Sequence, residues 1–368
     1  GAHRYHGLRS VGFGRTIELV WPEHPDFPNY GYTITRHDLD GLVCERAVKA
    51  GATVWQGTEV LEPIVDGPAE PAPHPGIGAL PHCAGAVVRE GSSTREIRAR
   101  YVVVADGANS RVGRTLGLVR DRALPQGMAL RGYYRSDLHD EPWIESHLDI
   151  RDAQGDIVPG YGWIFPLGDG RVNVGVGLLS TDRRWKGVNT TKLMEAFVAG
   201  APKRWGLNEA SSCGPPTGGR LPMGMSVTPR VGPNALVVGD AGGLVNPFNG
   251  EGIAYGYETG RLAAASLGEA LCGDDTALDR YEARLRENYA DYYRVGRAFV
   301  RIVSNPALMR ACVSVGMRSE PFMAQLLRIM ANLMRPETTG PAEAGYMAMI
   351  GLAKRLPEGI IEGAGAHR

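Results

Sequence analysis

The chain has 368 residues, 43% of them hydrophobic and 22% charged, which allows two domains with a sizeable core and excludes a chain whose main state is disorder. Forty basic and forty acidic residues cancel, so the basic excess expected of a nucleic-acid binder is missing. Fifty glycines, about twice the usual share, point to tight turns and close backbone approaches of the kind a cofactor-binding α/β protein needs.

In chain order, Ile17, Leu19 and Trp21, then Tyr32 and Ile34, alternate as strands on either side of a Pro-rich turn from Pro22 to Pro28. His37 to Gly51 reads as an amphipathic helix with Leu39, Leu42, Val43 and Ala47 on one face. Thr53–Trp55 and Glu59–Leu61 read as short strands, and residues 63–82, rich in proline, as a loop. Ala86–Arg89 and Arg95–Arg100 suggest a hairpin. Tyr101–Ala105 is a continuous apolar run, the mark of a strand buried on both faces. Met128–Tyr134, His147–Asp149, Gly162–Phe165 and Val172–Val176 read as strands of one sheet, followed by a helix over Thr190–Ala199. Ala235–Val238 is a second buried strand, and a helix starts near Gly252 and runs past Leu271. From Ala277 to Leu333 the pattern is helical, broken at Asn305-Pro306 and Glu320-Pro321, and the Gly/Ala/Pro-rich tail reads as frayed. The five cysteines are scattered without a Cys-x-x-Cys pair, so they read as reduced and mostly buried. No Ser-His-Asp order, acidic dyad or metal-ligand spacing stands out. No secretory signal and no apolar run long enough to cross a membrane is found, and the expected location is cytoplasmic, with peripheral association at the cytoplasmic membrane face left open.

Two segments share one design, a buried strand followed by Asp and Gly and then a helix: Val102–Arg114 and Leu236–Gly256. Ligands of doubly wound sheets bind beyond the carboxyl ends of such strands, where Gly admits backbone, Asp accepts from sugar hydroxyls and a helix start offers free N–H groups. Val237–Ile253 resembles the second flavin-binding motif of FAD-dependent oxidoreductases related to aromatic hydroxylases, and Ala105–Arg114 resembles their Asp-Gly motif. The run Asn-Pro-Phe-Asn-Gly-Glu-Gly-Ile from Asn246 is most similar to the geranylgeranyl reductase family. Pro159–Pro166 with Gly175-Val176-Gly177 resembles that family's Tyr-x-Trp-x-Phe-Pro…Gly-x-Gly substrate motif. Within the family, residues 17–60 look like actinobacterial members that reduce the menaquinone side chain.

The resemblance implies an α/β fold. An FAD/NAD(P)-binding Rossmann-like domain would occupy residues 1–125 and 226–275, a β-sheet substrate domain 126–225, and a helical region 276–368. It implies FAD held by Arg36, Val60, Asp106, Gly107, Asp240, Gly250, Gly252 and Ile253, and substrate met by Tyr161, Trp163, Phe165 and Gly175; no catalytic residue is assigned. Tyr133 and Tyr134, on a neighbouring strand, extend the aromatic wall. The family's opening strand–Gly-x-Gly-x-x-Gly–helix unit is absent from this chain, since Gly12-Phe13-Gly14 is too short and wrongly placed. The chain alone is therefore expected to bind FAD poorly. The implied reaction is saturation of isoprenoid C=C bonds in the menaquinone side chain or a geranylgeranyl lipid, with a reductant or NAD(P)H as electron source. The alternatives are an FAD-dependent monooxygenase or halogenase of the same fold, and a flavin-less lipid-binding protein. The apolar and arginine positions of residues 277–333 read either as an interfacial membrane face or as helices packing within the protein.

Overall fold

The computed structural model describes residues 1–67, 80–180, 187–274, 276–335 and 340–355. The elements are β1 (His3–Tyr5), β2 (Gly7–Gly12), β3 (Arg15–Val20), β4 (Gly31–Thr33), α1 (Arg36–Lys49), β5 (Thr58–Val65), β6 (Cys83–Glu90), β7 (Ser93–Arg98), β8 (Val102–Val104), α2 (Arg111–Thr115), β9 (Val119–Arg120), β10 (Gln126–Arg135), β11 (Trp143–His147) and β12 (Gly160–Pro166). They continue with β13 (Arg171–Leu179), α3 (Thr190–Gly200), β14 (Thr217–Pro222), β15 (Val227–Thr228), β16 (Ala235–Val237), α4 (Ile253–Leu271), α5 (Asp279–Val303), α6 (Pro306–Gly316), α7 (Glu320–Met330) and α8 (Pro341–Arg355). The chain divides into two compact units, one gathering residues 1–54, 128–219 and 301–348, the other 55–127, 220–300 and 349 onward.

In the first unit the described residues form a seven-stranded sheet in the order β14-β10-β13-β12-β11-β2-β3. Residues 7–20 contribute two of its strands, so the first 54 residues cluster with the sheet rather than with residues 55–125. Gly12-Phe13-Gly14 is the turn of the β2–β3 hairpin, with φ of 51° at Phe13 and 75° at Gly14, the left-handed pair that a two-residue hairpin turn requires. One sheet face is the core: Ile164, Val172, Val174 and Val176 alternate inward against Leu193, Met194 and Phe197 of α3. The same buried face carries charge. Glu145 accepts from His147 Nε2 at 2.9 Å and from Trp205 Nε1 at 3.0 Å, and it pairs with Arg204 and with Arg9 at 3.4 Å. Burial alone would raise the Glu145 carboxyl, but the His147, Arg204 and Trp205 donors hold it below the usual carboxylate range. The expected strand His147–Asp149 lies earlier, at β11, because parallel pairing with β2 runs from Trp143↔Gly7 to His147↔Val11. Helix α1 starts at an N-cap Thr35, but none of its residues is buried, so the expected packing of its Leu39–Ala47 face is not met among the described residues. Pro306 and Pro321 do start α6 and α7, behind the N-caps Asn305 and Ser319.

In the second unit β16 and β8 pair in parallel, Ala235↔Val102 to Val237↔Val104, over a core that includes Val112, Leu116, Val227 and Ala241. Of β8 only Val104 is buried, and Val103 is 42% exposed, so the expectation of burial on both faces fails for this strand and holds for β16. Asn234, just before β16, ties its amide to Cys83 N–H, Cys83 O and Arg100 O at 2.9, 2.7 and 3.1 Å. A buried bidentate pair, Arg230 to Glu282 at 2.6 and 3.0 Å, fastens α5 to the loop before β16. The expected strand Thr53–Trp55 is irregular backbone between the left-handed Gly51 and Gly57. The Pro-rich loop over 63–82 falls largely outside the described residues, as does the end of the tail; its earlier part, expected to fray, is α8. Of the cysteines only Cys83 is buried, while Cys213, Cys272 and Cys312 are exposed. Among the described residues no single helix is long and apolar enough to cross a membrane.

Candidate functional site

After β16 the chain makes a tight 3₁₀ turn, Gly239–Gly242, with Gly239 at φ +56°. Helix α4 passes so near that a Cβ on Gly239 would lie 3.6 Å from the Gly256 Cα. The Gly239 N–H donates to the buried Thr259 hydroxyl at 3.0 Å, which donates in turn to Tyr255 O at 2.7 Å. This packing brings Asp240 to the start of α4: a Cβ on Gly252 would stand 3.0 Å from Asp240 Oδ1. Gly252 is the N-cap and offers no capping side chain; the Glu251 carboxyl takes the Ala254 N–H, and the helix start at Gly252 lies beside the Asp240 carboxylate. Ile253 and Tyr257, one turn apart, are 45% and 44% exposed there.

The loop between the turn and the helix is locked from within and beneath. Buried Asn246 donates its N–H to Glu251 O at 2.8 Å, accepts from Gly250 N–H at 2.9 Å, and takes the Phe248 N–H on Oδ1 at 2.9 Å. Its Nδ2 donates to the Tyr255 and Tyr292 hydroxyls at 3.1 and 3.2 Å. Gly250 stands at φ +77°, where the loop doubles back. Beneath, α5 carries Gly296, where a Cβ would meet Pro247 Cγ at 2.5 Å, and Phe248 packs on Tyr292 and Phe299 at 5.1 and 5.3 Å. Tyr281 and Tyr293 donate to Val237 O and Leu244 O at 2.9 and 2.7 Å, and Tyr289 to Glu258 Oε2 at 2.5 Å. Burial pushes the phenols of Tyr255, Tyr281, Tyr289 and Tyr293 up, so they stay neutral. Glu251 is exposed as a residue, yet crowding of its carboxyl, then the charge of Glu258, push that group above the usual range, against the opposing pull of the Ala254 N–H.

The Asp-Gly segment of the same unit is organised differently. Asp106 Oδ2 accepts the Val112 N–H at 3.0 Å and Ser110 Oγ the Gly113 N–H at 2.9 Å, so both side chains serve the start of α2. Gly113 is required because a Cβ would stand 2.3 Å from Ser110 Oγ, and Arg114 folds back onto Asn109 O at 2.6 Å. Gly107 supplies the turn at φ +77°. Val60 is exposed on β5 beside the bulge between Val60 and Glu62, flanked by Glu59, which pairs with Arg89 and, at 2.9 Å, Arg111. Arg36 belongs to the other unit. It opens α1 and pairs with Asp40 through two contacts of 3.0 Å.

The aromatic wall lies in the sheet unit, on the face opposite α3. Tyr161, Trp163 and Phe165 follow one another along β12 with ring centroids 5.8 and 6.2 Å apart, all half-buried. The Trp163 indole lies flat across β13: a Cβ on Gly175 would meet it at 2.1 Å, and Trp163 Nε1 donates to Asn173 Oδ1 at 3.1 Å. Tyr134 turns the other way, into the α3 core, because consecutive strand residues face opposite sides. Tyr133 shares its side of the sheet with Arg131 and Arg171, whose guanidinium groups lie 4.7 and 5.4 Å from its ring. β10 is separated from β12 by β13.

Asp240, Gly250, Gly252 and Ile253 thus come together; Asp106, Gly107 and Val60 share their unit; Arg36 and the aromatic wall belong to the other. Asn246, Asn173, Gly296 and the α5 tyrosines were not singled out from the sequence. For Asn173 a signal exists, since it is a polar residue in an otherwise apolar alternation, Val172 to Val176.

No protein-family model matches the sequence. It is 37% identical over 359 residues to menaquinone reductase of Mycolicibacterium smegmatis, spanning 96% of this chain and 81% of the relative. It is 30% identical over 279 residues to digeranylgeranylglycerophospholipid reductase 1 of Methanopyrus kandleri, spanning 73% and 66%. Among solved structures, a geranylgeranyl bacteriochlorophyll reductase-like protein of Thermoplasma acidophilum superposes with a TM-score of 0.68 over 94% of this chain and 80% of that one, at 23% identity, which carries the fold alone.

Proposed function

We infer the activity from one premise: the chain belongs to the geranylgeranyl reductase family of flavin-dependent oxidoreductases. Its reaction is the saturation of isoprenoid C=C bonds, the cofactor is FAD, and the substrate is a polyprenyl lipid, foremost the menaquinone side chain, with geranylgeranyl lipids as the wider class. A reductant or NAD(P)H supplies the electrons. A lipid of this kind resides in a bilayer, so the enzyme works peripherally at the cytoplasmic membrane face.

The observation that carries the cofactor reading is the meeting of the Asp240 carboxylate with the start of α4 at Gly252. The donor set fits a flavin nucleotide: a carboxylate for a ribityl or ribose hydroxyl, N–H groups of Gly252 and Ile253 for the electron-rich edge of the ring or a phosphate, and no Cβ at Gly252 to bar the approach. Gly250 shapes the loop. Gly107 and Val60 would contribute backbone from the neighbouring turn and strand, and Asp106 positions the α2 start. When bound and reduced, the flavin supplies the hydride that an unactivated alkene needs. Tyr161, Trp163 and Phe165 offer the prenyl chain a flat apolar wall and exclude water from it, while Gly175 lets the indole lie flush with the sheet.

The test is anaerobic incubation of the purified protein with a large excess of FAD, to offset the weak binding expected of this chain alone, a reductant and menaquinone, read as lipid mass. A gain of two hydrogens per turnover is expected. A product that forms only with O2, hydroxylated or halogenated, overturns the reading in favour of a monooxygenase or halogenase.

A further inference from the structure

On the sheet face that carries the aromatic wall, β10 presents Arg131, Tyr133 and Arg135, each two residues from the next, while Tyr134 faces the α3 core. The Tyr133 ring gathers two guanidinium groups, Arg131 at 4.7 Å and Arg171 at 5.4 Å. Arg171 is answered, because Asp169 takes it at 2.5 and 3.1 Å. Arg135 stands exposed at the end of β10 and donates to Ala210 O at 3.3 Å. Arg131 is half-buried, and among the described residues its five N–H donors meet no acceptor; its neighbour is the Tyr133 ring. Between β10 and the wall runs β13, whose Asn173 is already spent on Trp163. One sheet face therefore passes from three aromatic rings on β12 to a single unanswered cation on β10.

We propose that Arg131 recognises the head of the substrate, a planar quinone ring, by donating to one of its carbonyl oxygens. The proposal rests on the prenyl-reductase reading and names where the polar end of that lipid is held. Such a substrate is amphipathic in the same sense as this face: an apolar chain for the rings of β12, and a flat dicarbonyl head for a planar donor. A cation partly withdrawn from water gains most from the acceptor it lacks, and Tyr133 keeps the guanidinium in place for it. Charge favours a carbonyl over a phosphate. With Arg171 neutralised and Arg135 out in solvent, one positive charge is left on this part of the face. That is too little for a diphosphate and enough to hydrogen-bond a neutral quinone oxygen.

The experiment measures anaerobic turnover with excess FAD on menaquinone, on geranylgeraniol, which keeps a prenyl chain without the ring, and on geranylgeranyl diphosphate. Arg131→Gln should raise KM for menaquinone at least about tenfold with kcat within about twofold, and leave geranylgeraniol as in wild type. Tyr133→Leu, which removes the ring that seats the guanidinium, should raise the same KM about threefold. Occupancy is read without turnover at Cys213. It is exposed and stands opposite Tyr133, since its N–H donates to Tyr133 O at 2.8 Å beside the antiparallel Tyr134–Ser212 bridge. The probe is a naphthoquinone methylated at both free ring carbons, without a prenyl chain and closed to thiol addition. It should slow alkylation of Cys213 in wild type and not in Arg131→Gln, by peptide mass, with the exposed Cys272 and Cys312 unaffected in both. The proposal is overturned if Arg131→Gln raises KM equally for menaquinone and geranylgeraniol, as a purely structural role would. It is equally overturned if geranylgeranyl diphosphate suffers more than menaquinone, or if the probe leaves Cys213 as reactive as before while turnover is intact. Turnover absent from wild type and variants alike, with Cys213 still shielded, overturns the enzymatic reading and leaves the quinone subsite standing.

Discussion

Two glutamates illustrate opposite ways of placing a carboxyl in this protein. Glu145, in the sheet unit, is fully buried and surrounded by His147, Arg204, Arg9 and Trp205 donors, which keep it ionised. Glu251, just before α4, is an exposed residue whose carboxyl is crowded and has another carboxylate, Glu258, as its charged neighbour, so protonation is favoured. The first arrangement serves the fold, because a buried charge with a full set of partners fixes β11 to β2 and to the Trp205 loop. The second serves the candidate cofactor loop, whose supports are hydrogen bonds from groups that carry no charge.

The contrast is broken most forcefully at Glu145. Glu145→Ala leaves Arg9, Arg204 and the Trp205 N–H short of an acceptor and should cost about 3 kcal/mol or more, measured by urea unfolding. With its carboxyl depressed in the fold, Glu145 contributes stability that is present above the ordinary glutamate range and lost as pH falls through its lowered value. Wild type should therefore weaken below about pH 4 by an amount Glu145→Gln does not show. Gly296→Ala comes next. Its Cβ, 2.5 Å from Pro247 Cγ, must push the 246–252 loop off α5. It should cost about 1–3 kcal/mol and weaken flavin binding by fluorescence titration, while leaving the sheet unit's acid sensitivity untouched. Gly175→Ala, 2.1 Å from the Trp163 indole, should tilt that ring and lower prenyl turnover more than flavin affinity, read as separate titrations. The smallest effect is expected at Glu251. Its raised value means that the stabilisation is complete below the ordinary glutamate range and lost as pH rises through the folded value. Glu251→Gln should therefore gain about 0.5 kcal/mol at neutral pH, after solvent screening, and nothing near pH 4, by thermal melting in both buffers.

Much of this was legible in sequence because the signals are local. Pro306 and Pro321 announce helix starts, Val172–Val176 announces a strand, and Asp240 with Gly252 lie close enough along the chain for one motif to specify both. What escaped is non-local. Nothing around Arg9 marks its pairing with Glu145, 136 residues away, and nothing around Gly296 marks it as the platform for Pro247. The expected inward face of α1 shows the limit of periodicity: a 3.6-residue pattern says which residues share a side, not what they rest against.

The position of β2 has a consequence for synthesis. β2 sits between β3, its immediate successor, and β11, which begins at Trp143. At a translation rate of about 5–20 residues per second, the β2–β3 hairpin waits on the order of ten seconds at the ribosome for its other neighbour. During that interval one edge of the hairpin has no strand to pair with, and Arg9 has Glu18 across the hairpin as its early partner. That arginine–glutamate contact would make the nascent edge a charged one, a poor template for pairing with another emerging chain.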